Sequence, residues 1–229
     1  MIEDPPLLTL KKSFKRPAID KLAALNGAST GMLVDCLGGR GALCQTVKPV
    51  NSAATRFTGV ALTCDAGPAD NLAVFGALYL AQPGDVIVIA TDAFMATAVI
   101  GDLVVGMAKN KGVSAMVTDG CVRDVEGTLA TGLPCFASGV TPNSPARNGP
   151  GSAGLPITIG GVAVNSGDVL VGDTDGVVVV PIDLLDDVLA RLEDVKRAEA
   201  ELDARVAAGL TMTEFASAVI EGDRVKWLD

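Results

Sequence analysis

The chain of 229 residues is 49% hydrophobic and 20% charged, which predicts a sizeable core in one domain with appendages or at most two small domains, and argues against disorder. Its formal net charge of −9 opposes binding to nucleic-acid phosphates or anionic membranes, so neither partner is expected. It contains no histidine, which excludes the usual histidine-dependent nucleophiles and histidine-ligated zinc, copper or non-haem iron within the chain.

The amino-terminal part is predicted to be an arm followed by two short helices. We expect residues 1–16 to form a loose arm, in which acidic residues precede the apolar run, the wrong order for a signal peptide. A proline at a helix-start position and apolar residues at helical spacing indicate a helix over 17–26. Either Ser29 or Thr30 is suited to cap a second helix that ends near residues 38–39.

The middle of the chain alternates strands with helices, a pattern that is typical of an α/β domain. Strands are predicted at 57–64 and 113–118, with a turn followed by a buried strand over 82–90, and helices at 70–80, 101–110 and near 124–131. Residues 139–161 are rich in Gly, Pro, Asn and Ser and are predicted to be a loop. Residues 162–181 then indicate two short strands around a GDTDG turn.

The carboxyl-terminal part is predicted to be one long helix over 182–208 and a short one over 213–222. An apolar stripe at helical spacing suits packing against the body or another subunit; it comprises Leu185, Val188, Leu192, Val195, Leu202 and Val206. Where the stripe expects another apolar residue, the sequence has Glu199. A carboxylate on a buried face needs a partner, a metal or water, although the helix is alternatively exposed there.

The apolar segments and the cysteines bear on location. No segment approaches 18 continuous apolar residues, so no transmembrane helix is expected. The five cysteines are odd in number and form no CxxC, which indicates reduced thiols in a cytoplasmic protein rather than a disulfide framework.

Two short segments place polar residues where α/β folds commonly bind ligands. Gly101 and Asp102 stand at a predicted helix start, where free N–H groups and the helix dipole favour a carboxylate or phosphate; alternatively, Asp102 only caps its own helix. Arg123 and Asp124 follow a predicted strand and offer an anion clamp beside a ligand for a hard cation such as Mg²⁺ or Mn²⁺; alternatively, they form a surface ion pair or another cap.

These residues belong to a larger pattern. Asp102, twenty residues and then Arg123-Asp124 form a D-x20-R-D signature. Its surroundings include LGGRGAL (37–43), DNL (70–72), QPGDV (82–86), DGCVRDVEG (119–127) and GDTDGVVVVP (172–181). Together they resemble the family of 4-hydroxy-4-methyl-2-oxoglutarate / 4-carboxy-4-hydroxy-2-oxoadipate aldolases, which also contains the RraA-type ribonuclease regulators. The resemblance covers residues 20–208.

The resemblance implies a fold and an assembly. The expected fold is α/β, a swivelling-type β/β/α RraA-like core over 31–181. An amino-terminal arm and helix over 1–30 and a helical extension over 182–229 flank that core. The chain would assemble as a homotrimer or a dimer of trimers, with the active site between neighbouring subunits.

The resemblance also implies roles for the signature residues. Asp124 would ligate Mg²⁺ or Mn²⁺, and Arg123 would hold the keto oxygen of pyruvate. Asp102 would position a water molecule on the metal. Glu199 of the neighbouring subunit is the candidate for the acidic residue that the family takes from its carboxyl-terminal helix.

The substrate carboxylate has its own expected site. The resemblance places it on the backbone that follows Gly101, where the amides of Leu103 and Val104 would donate to it. Residues 141–151 differ from the corresponding family loop. If that loop contacts the far end of the substrate, the resemblance no longer implies the usual dicarboxylic substrate.

The activity implied is that of a divalent-metal-dependent (class II) pyruvate aldolase, a carbon–carbon lyase. Such an enzyme cleaves a 4-hydroxy-2-oxo acid, such as 4-hydroxy-4-methyl-2-oxoglutarate, to pyruvate and a second carbonyl compound. Oxaloacetate decarboxylation passes through the same enolate and is the expected side activity. The alternative is a non-enzymatic, RraA-like regulator that binds a ribonuclease. A methyltransferase is disfavoured because no glycine-rich strand–loop–helix is followed by a ribose-binding acid at suitable spacing.

Overall fold

The structure is a computed structural model that describes residues 6–50, 52–53 and 55–228. Its strands are β1 (Leu8–Leu10), β2 (Lys48–Pro49), β3 (Phe57–Asp65), β4 (Asp85–Ala90), β5 (Ala98–Ile100), β6 (Ala115–Thr118), β7 (Cys121–Val122), β8 (Cys135–Ala137), β9 (Gly139–Val140), β10 (Gly151–Ala153), β11 (Ile157–Ile159), β12 (Val162–Val164), β13 (Val169–Asp173) and β14 (Gly176–Val180). Its helices are α1 (Ile19–Ala24), α2 (Thr30–Cys36), α3 (Leu72–Leu80), α4 (Asp102–Asn110), α5 (Val125–Thr131), α6 (Leu185–Ala207) and α7 (Glu214–Ile220).

A large mixed sheet forms the centre of the molecule, and the predicted α/β class is confirmed. Strands β3, β4, β6 and β8 lie side by side and run parallel. Strands β10 and β13 pair antiparallel with β3, β14 forms a hairpin with β13, and β2 closes the other edge against β8. Strand β4 is buried along its whole length because parallel strands of this kind are covered on both faces.

Alternate residues of the central strands pack into two different hydrophobic cores. On β4, Ile87 and Ile89 pack with α3 and α4, whereas Val86 and Val88 pack with the β11–β12 hairpin and β14. A third cluster joins α2 and the first turns of α6 to β13 and β14. Side chains alternate between the two faces of each strand. Helices therefore cover one face of the sheet, and further strands cover the other.

A small parallel sheet of β5, β7 and β9 lies beside the first core. Strand β7 is the middle strand and pairs with both neighbours. The helix α4 follows β5, and α5 follows β7. The carboxyl ends of the three strands therefore point to the same edge, which is where ligand sites of open α/β sheets are usually found.

Most predicted elements of the middle are confirmed, and two predictions at the periphery are wrong. Residues 8–10 of the predicted loose arm form β1, which pairs parallel with β10. The predicted loop over 139–161 contains β9, β10 and β11. Strand β10 consists of small residues and therefore lacks the apolar pattern of a strand. Gly151 has to be small, because a Cβ there would lie 2.8 Å from the Ala73 Cβ of α3. The first five residues of the arm lie outside the described residues.

The long predicted helix begins with a 3₁₀ turn, Ile182–Leu184, and continues as α6. Its apolar stripe is buried only at Leu185, Val188 and Leu192. Val195 is partly buried against the third cluster, whereas Leu202 and Val206 are exposed. The tail beyond α7 is exposed as well; Trp227 has 73% of its surface open to solvent.

Across residues 6–50, 52–53 and 55–228, no helix has both the length and the apolar content that a membrane span requires.

Candidate functional site

Three segments meet at the carboxyl ends of β5, β7 and β9. Gly101 follows β5, and Arg123 follows β7. The Arg123 amide donates to the Ile100 carbonyl over 3.0 Å, and the Thr141 amide donates to the Val122 carbonyl over 3.0 Å. These bonds extend the strand register by one residue and bring both predicted clusters together with the loop after β9.

The segments enclose a pocket of about 60 Å³, here called the site pocket. It is lined by Asn71, Gly101, Asp102, Arg123, Asp124 and Arg147, together with neighbouring apolar residues. Leu103 and Val104 also line it. The structure therefore brings together every predicted site residue except Glu199.

Arg123 and Asp124 form an ion pair inside the site pocket. Arg123 Nε lies 3.1 Å from Asp124 Oδ2, and the two side chains are 33% and 44% exposed. A further Arg123 nitrogen donates to the Ser144 hydroxyl of the loop after β9. Ion pairs this exposed contribute about 0–1 kcal/mol to stability, so the pair orients two groups that a ligand can still reach.

The backbone at Asp124 is left-handed, with φ 53° and ψ 49°. Aspartate and asparagine tolerate this conformation better than most residues, because their short polar side chains bond locally. Asp124 stands immediately before α5, so the turn directs its carboxylate away from the helix and toward Arg123.

Gly101 is extended, so its backbone suits any residue, and glycine is needed there for space. A Cβ at this position would lie 2.4 Å from Asp124 Oδ2 and 3.0 Å from Arg123 Cγ. The ion pair therefore lies directly against the backbone at the start of α4.

Asp102 lies between α4 and α5. Its Oδ1 accepts a hydrogen bond of 2.7 Å from the Leu103 amide. A Cβ at Gly127 of α5 would come within 2.3 Å of Asp102 Oδ2, so a glycine there makes room for the carboxylate. The Val104 amide donates to the Gly101 carbonyl over 3.1 Å. Both amides to which the resemblance assigns a substrate carboxylate thus have partners within the chain.

Asn71 is a site residue to which the sequence gave no role. It precedes α3 and is 3% exposed. Its Nδ2 donates to the Val99 carbonyl over 3.2 Å, while its Oδ1 has no hydrogen-bond partner in the described part of the chain. Its only sequence signal was the DNL segment of the resemblance.

Arg147 brings a second cation to the site pocket. Its loop is held by backbone bonds from the Asn71 amide to the Ala146 carbonyl, 3.0 Å, and from the Ala146 amide to the Ala69 carbonyl, 2.7 Å. Its guanidinium lies 5.5 Å from the Phe75 ring centroid. The loop that departs from the family pattern therefore contributes a positive charge beside Arg123 and Asp124.

Glu199 lies elsewhere within the chain. It lines a separate cavity of about 350 Å³ between α2, β14 and α6, together with Asp35 and Asp175. Its predicted place in the site of a neighbouring subunit remains a prediction.

The carboxylates of the site pocket suit a magnesium-type ion. Within the described ranges, no group of three or more His, Cys, Asp or Glu residues is arranged to hold a metal. Mg²⁺ characteristically binds one or two carboxylates and completes its shell with water and substrate oxygens. Asp124 and Asp102 supply such a donor set, and the exposure of Asp124 leaves room for the remaining ligands.

Relatives with known names share this chain's core. The chain is 38% identical over 187 residues to a Halalkalibacterium halodurans protein provisionally named 4-hydroxy-4-methyl-2-oxoglutarate aldolase, covering 82% of this chain and 87% of that relative. An uncharacterized protein from Pseudomonas syringae pv. tomato has a similar structure, with TM-score 0.76 and 25% identity over 86% of this chain and 97% of its own. The RNA-processing inhibitor RraA from Thermus thermophilis also has a similar structure, with TM-score 0.62 and 30% identity over 67% of this chain and 93% of its own.

A family model described as RraA-like, Aldolase/RraA, matches residues 26–179. The match includes all the residues of the site pocket and excludes Glu199. This chain is therefore a member of the RraA-like family, with its α/β fold.

Proposed function

We propose that the chain is a divalent-metal-dependent pyruvate aldolase that cleaves a 4-hydroxy-2-oxo acid, such as 4-hydroxy-4-methyl-2-oxoglutarate, to pyruvate and a second carbonyl compound. The observation that carries this proposal is the meeting of the Arg123–Asp124 pair with the start of α4 in one pocket. The name of the Halalkalibacterium relative supports it.

The reaction requires charge stabilisation at one oxygen atom. When the 4-hydroxyl loses its proton, the bond from C3 to C4 breaks, C4 becomes a carbonyl and the electron pair moves to the enolate of pyruvate. Negative charge then develops on the C2 oxygen. Arg123 would donate to that oxygen, and a fixed donor of this kind contributes about 3–4 kcal/mol to the barrier.

Asp124 would hold Mg²⁺ or Mn²⁺ in the site pocket. The bound ion supplies Lewis-acid stabilisation of the developing charge. Asp102 is suited to orient a water molecule that returns a proton to C3 of the enolate. Glu199 from a neighbouring subunit would complete this acidic side of the site.

Two features suit an acidic substrate. The substrate's 1-carboxylate would lie at the start of α4, where it replaces the Asp102 carboxylate on the Leu103 amide and gains from the helix dipole. Arg147 would neutralise a second carboxylate at the far end of a dicarboxylic substrate.

The proposal includes the assembly and its setting. We infer a homotrimer or dimer of trimers, because the distal half of α6 presents apolar residues that its own body does not cover. A cytoplasmic setting is proposed from the odd number of cysteines and the lack of a CxxC motif. Nucleic acid and membranes are not proposed as partners, given the net charge of −9.

Pyruvate release tests the proposal directly. The rates from oxaloacetate and from 4-hydroxy-4-methyl-2-oxoglutarate would be measured with Mg²⁺, with Mn²⁺ and after addition of EDTA. We expect turnover of both acids that EDTA stops and added metal restores. Turnover that persists in EDTA would contradict the metal-dependent mechanism.

A second candidate function is regulation of a ribonuclease by direct binding. It is favoured by the likeness to the RNA-processing inhibitor RraA from Thermus thermophilis. Stable binding to a purified ribonuclease, combined with no metal-dependent turnover of either acid, would favour this function over the aldolase.

A further inference from the structure

The Asn71 side chain has one buried polar atom without a hydrogen-bond partner among the described residues. Its amide donates to Ala146, its carbonyl accepts from the Val74 amide over 3.1 Å, and its Nδ2 donates to Val99. The Val99 carbonyl can only accept, so this bond assigns the nitrogen and leaves Oδ1 as the remaining atom. Among the described residues, no donor reaches Oδ1.

A buried acceptor of this kind calls for a donor from outside the chain. Asn71 lines the site pocket, whose volume of about 60 Å³ has room for a water molecule. The neighbouring Arg123 guanidinium already bonds Asp124 and Ser144. No hydrogen bond joins this guanidinium to Asn71 Oδ1, and we infer that a bound molecule supplies the donor.

The proposed reaction needs a proton acceptor that the other pocket residues do not provide. Arg123 and Arg147 are cations without acceptor capacity, and Asp124 and Asp102 have roles at the metal and at C3. An amide oxygen is too weakly basic to keep a proton, but it increases the proton affinity of a water molecule that donates to it.

We propose that Asn71 positions the water molecule that receives the proton of the substrate's 4-hydroxyl group. This inference rests on the proposed aldolase function. The water donates one hydrogen to Asn71 Oδ1 and directs a lone pair to the hydroxyl. The proton moves from the hydroxyl to this water and on to solvent, which reaches the half-exposed Asp124 side of the pocket, while the C3–C4 electron pair enters the enolate.

Comparing two reactions at the same site tests whether Asn71 acts in removal of the 4-hydroxyl proton. Oxaloacetate decarboxylation forms the same enolate but has no 4-hydroxyl proton to remove. For Asn71→Ala we expect cleavage of 4-hydroxy-4-methyl-2-oxoglutarate to fall about 10- to 100-fold while oxaloacetate decarboxylation changes less than about twofold. The ratio of the two rates, measured on one sample, does not depend on the fraction of folded protein.

Further variants control for the lost contact with Val99. Asn71→Leu keeps the approximate volume and removes the acceptor, so it should reproduce the Asn71→Ala ratio. Asn143→Ala breaks a matching bond of 2.9 Å, from Nδ2 to the Ala96 carbonyl in the nearby loop, and should leave the ratio unchanged. The residual cleavage by Asn71→Ala should rise in proportion to hydroxide concentration, because hydroxide then replaces the positioned water.

The outcomes are distinct. A selective loss of cleavage supports the role of Asn71. Equal losses in both reactions, or no loss in either, would overturn it and leave Asn71 with a structural water. Wild-type protein that turns over neither acid would overturn the proposed aldolase function, and this inference with it.

Discussion

Asp124 is subject to two requirements, one from its backbone and one from its carboxylate. The left-handed conformation favours aspartate, asparagine or glycine, while the proposed chemistry needs a negative charge. Substitutions at this residue can therefore separate the cost to the fold from the cost to the reaction.

Asp124→Asn should abolish metal-dependent turnover with little change in the free energy of unfolding, because asparagine tolerates the left-handed backbone. Asp124→Ala should abolish turnover and also destabilise the protein by about 1 kcal/mol. Steady-state rates and urea unfolding of both variants check this. Normal turnover in Asp124→Asn would contradict a charge requirement at this position.

Arg123→Ala should likewise abolish turnover. Asp102→Asn should lower the rate with less effect on the dependence of the rate on Mn²⁺ concentration.

Asp173 is a buried carboxylate with a purely structural setting. It accepts hydrogen bonds from the Thr30 amide and hydroxyl, each 2.8 Å, and from the Asp175 amide, 2.9 Å. Burial by itself raises the pKa of Asp173, but these hydrogen bonds and the charge of Arg56 outweigh it and hold the pKa below its ordinary value. The ionised form is thus favoured in the folded state.

Asp173→Asn should destabilise the protein by about 1.5–3 kcal/mol at pH 7, since it removes charge-assisted hydrogen bonds. A lowered folded pKa means that this stability is present above the unfolded pKa of about 3.9 and is lost as pH falls through the folded value. Urea unfolding at pH 7 and at successively lower pH below 4 should show the difference between wild type and variant shrinking. A constant difference would contradict the role of ionisation.

At the scale of elements, the start of α4 combines an anion-binding geometry with close packing. The Arg123–Asp124 pair occupies the space that a side chain at Gly101 would need. Gly106, further along α4, has open space around its Cβ position. The glycine that precedes α4 and the glycine within it therefore serve different purposes.

Gly101→Ala should lower turnover at least about 100-fold, because the methyl group displaces the Arg123–Asp124 pair by more than a small adjustment and misplaced catalytic groups lose rates of this order. Gly106→Ala is the matched control and should stabilise the protein by about 0.4–1 kcal/mol with unchanged turnover. Rates and thermal unfolding of the two variants provide the comparison. Equal activity in both would argue against a spatial role for Gly101.

Local sequence patterns predict some elements of this fold and miss others. The buried strands and the α4 and α5 helices were predictable because apolar runs and turn residues specify them locally. Asp102 was predictable as a candidate because it begins a predicted helix, and Arg123 and Asp124 because they follow a predicted strand. Asn71 was not, because its significance depends on pairing between residues 69–71 and 146–148, and no local pattern reveals contacts so distant in sequence. The short strands β1 and β10 were missed for the same reason.

At the scale of the whole molecule, α6 divides the chain into a packed body and a protruding end. Its first turns pack on α2, and its later turns carry Glu199 and uncovered apolar residues. If Glu199 completes the site of a neighbour, then one active site draws on two chains, and defects in different chains can compensate.

Mixing Asp124→Asn subunits with Glu199→Gln subunits, after dissociation and reassembly, should restore part of the activity that each lacks alone. Some sites then combine an intact Asp124 from one chain with an intact Glu199 from another. Mixing Asp124→Asn with Asp102→Asn is the matched control; both changes fall on the same side of the site, so no activity should return. Equal results from the two mixtures would contradict a shared site.

The exposed tail also gives the protein a built-in optical reporter. Trp227 is the chain's one tryptophan, and it lies on the segment that the body leaves uncovered. Indole emission shifts toward shorter wavelengths when water is removed from around the ring. The emission of unlabelled protein, followed as concentration rises, therefore registers any coverage of the tail by a second chain, without interference from tryptophan elsewhere.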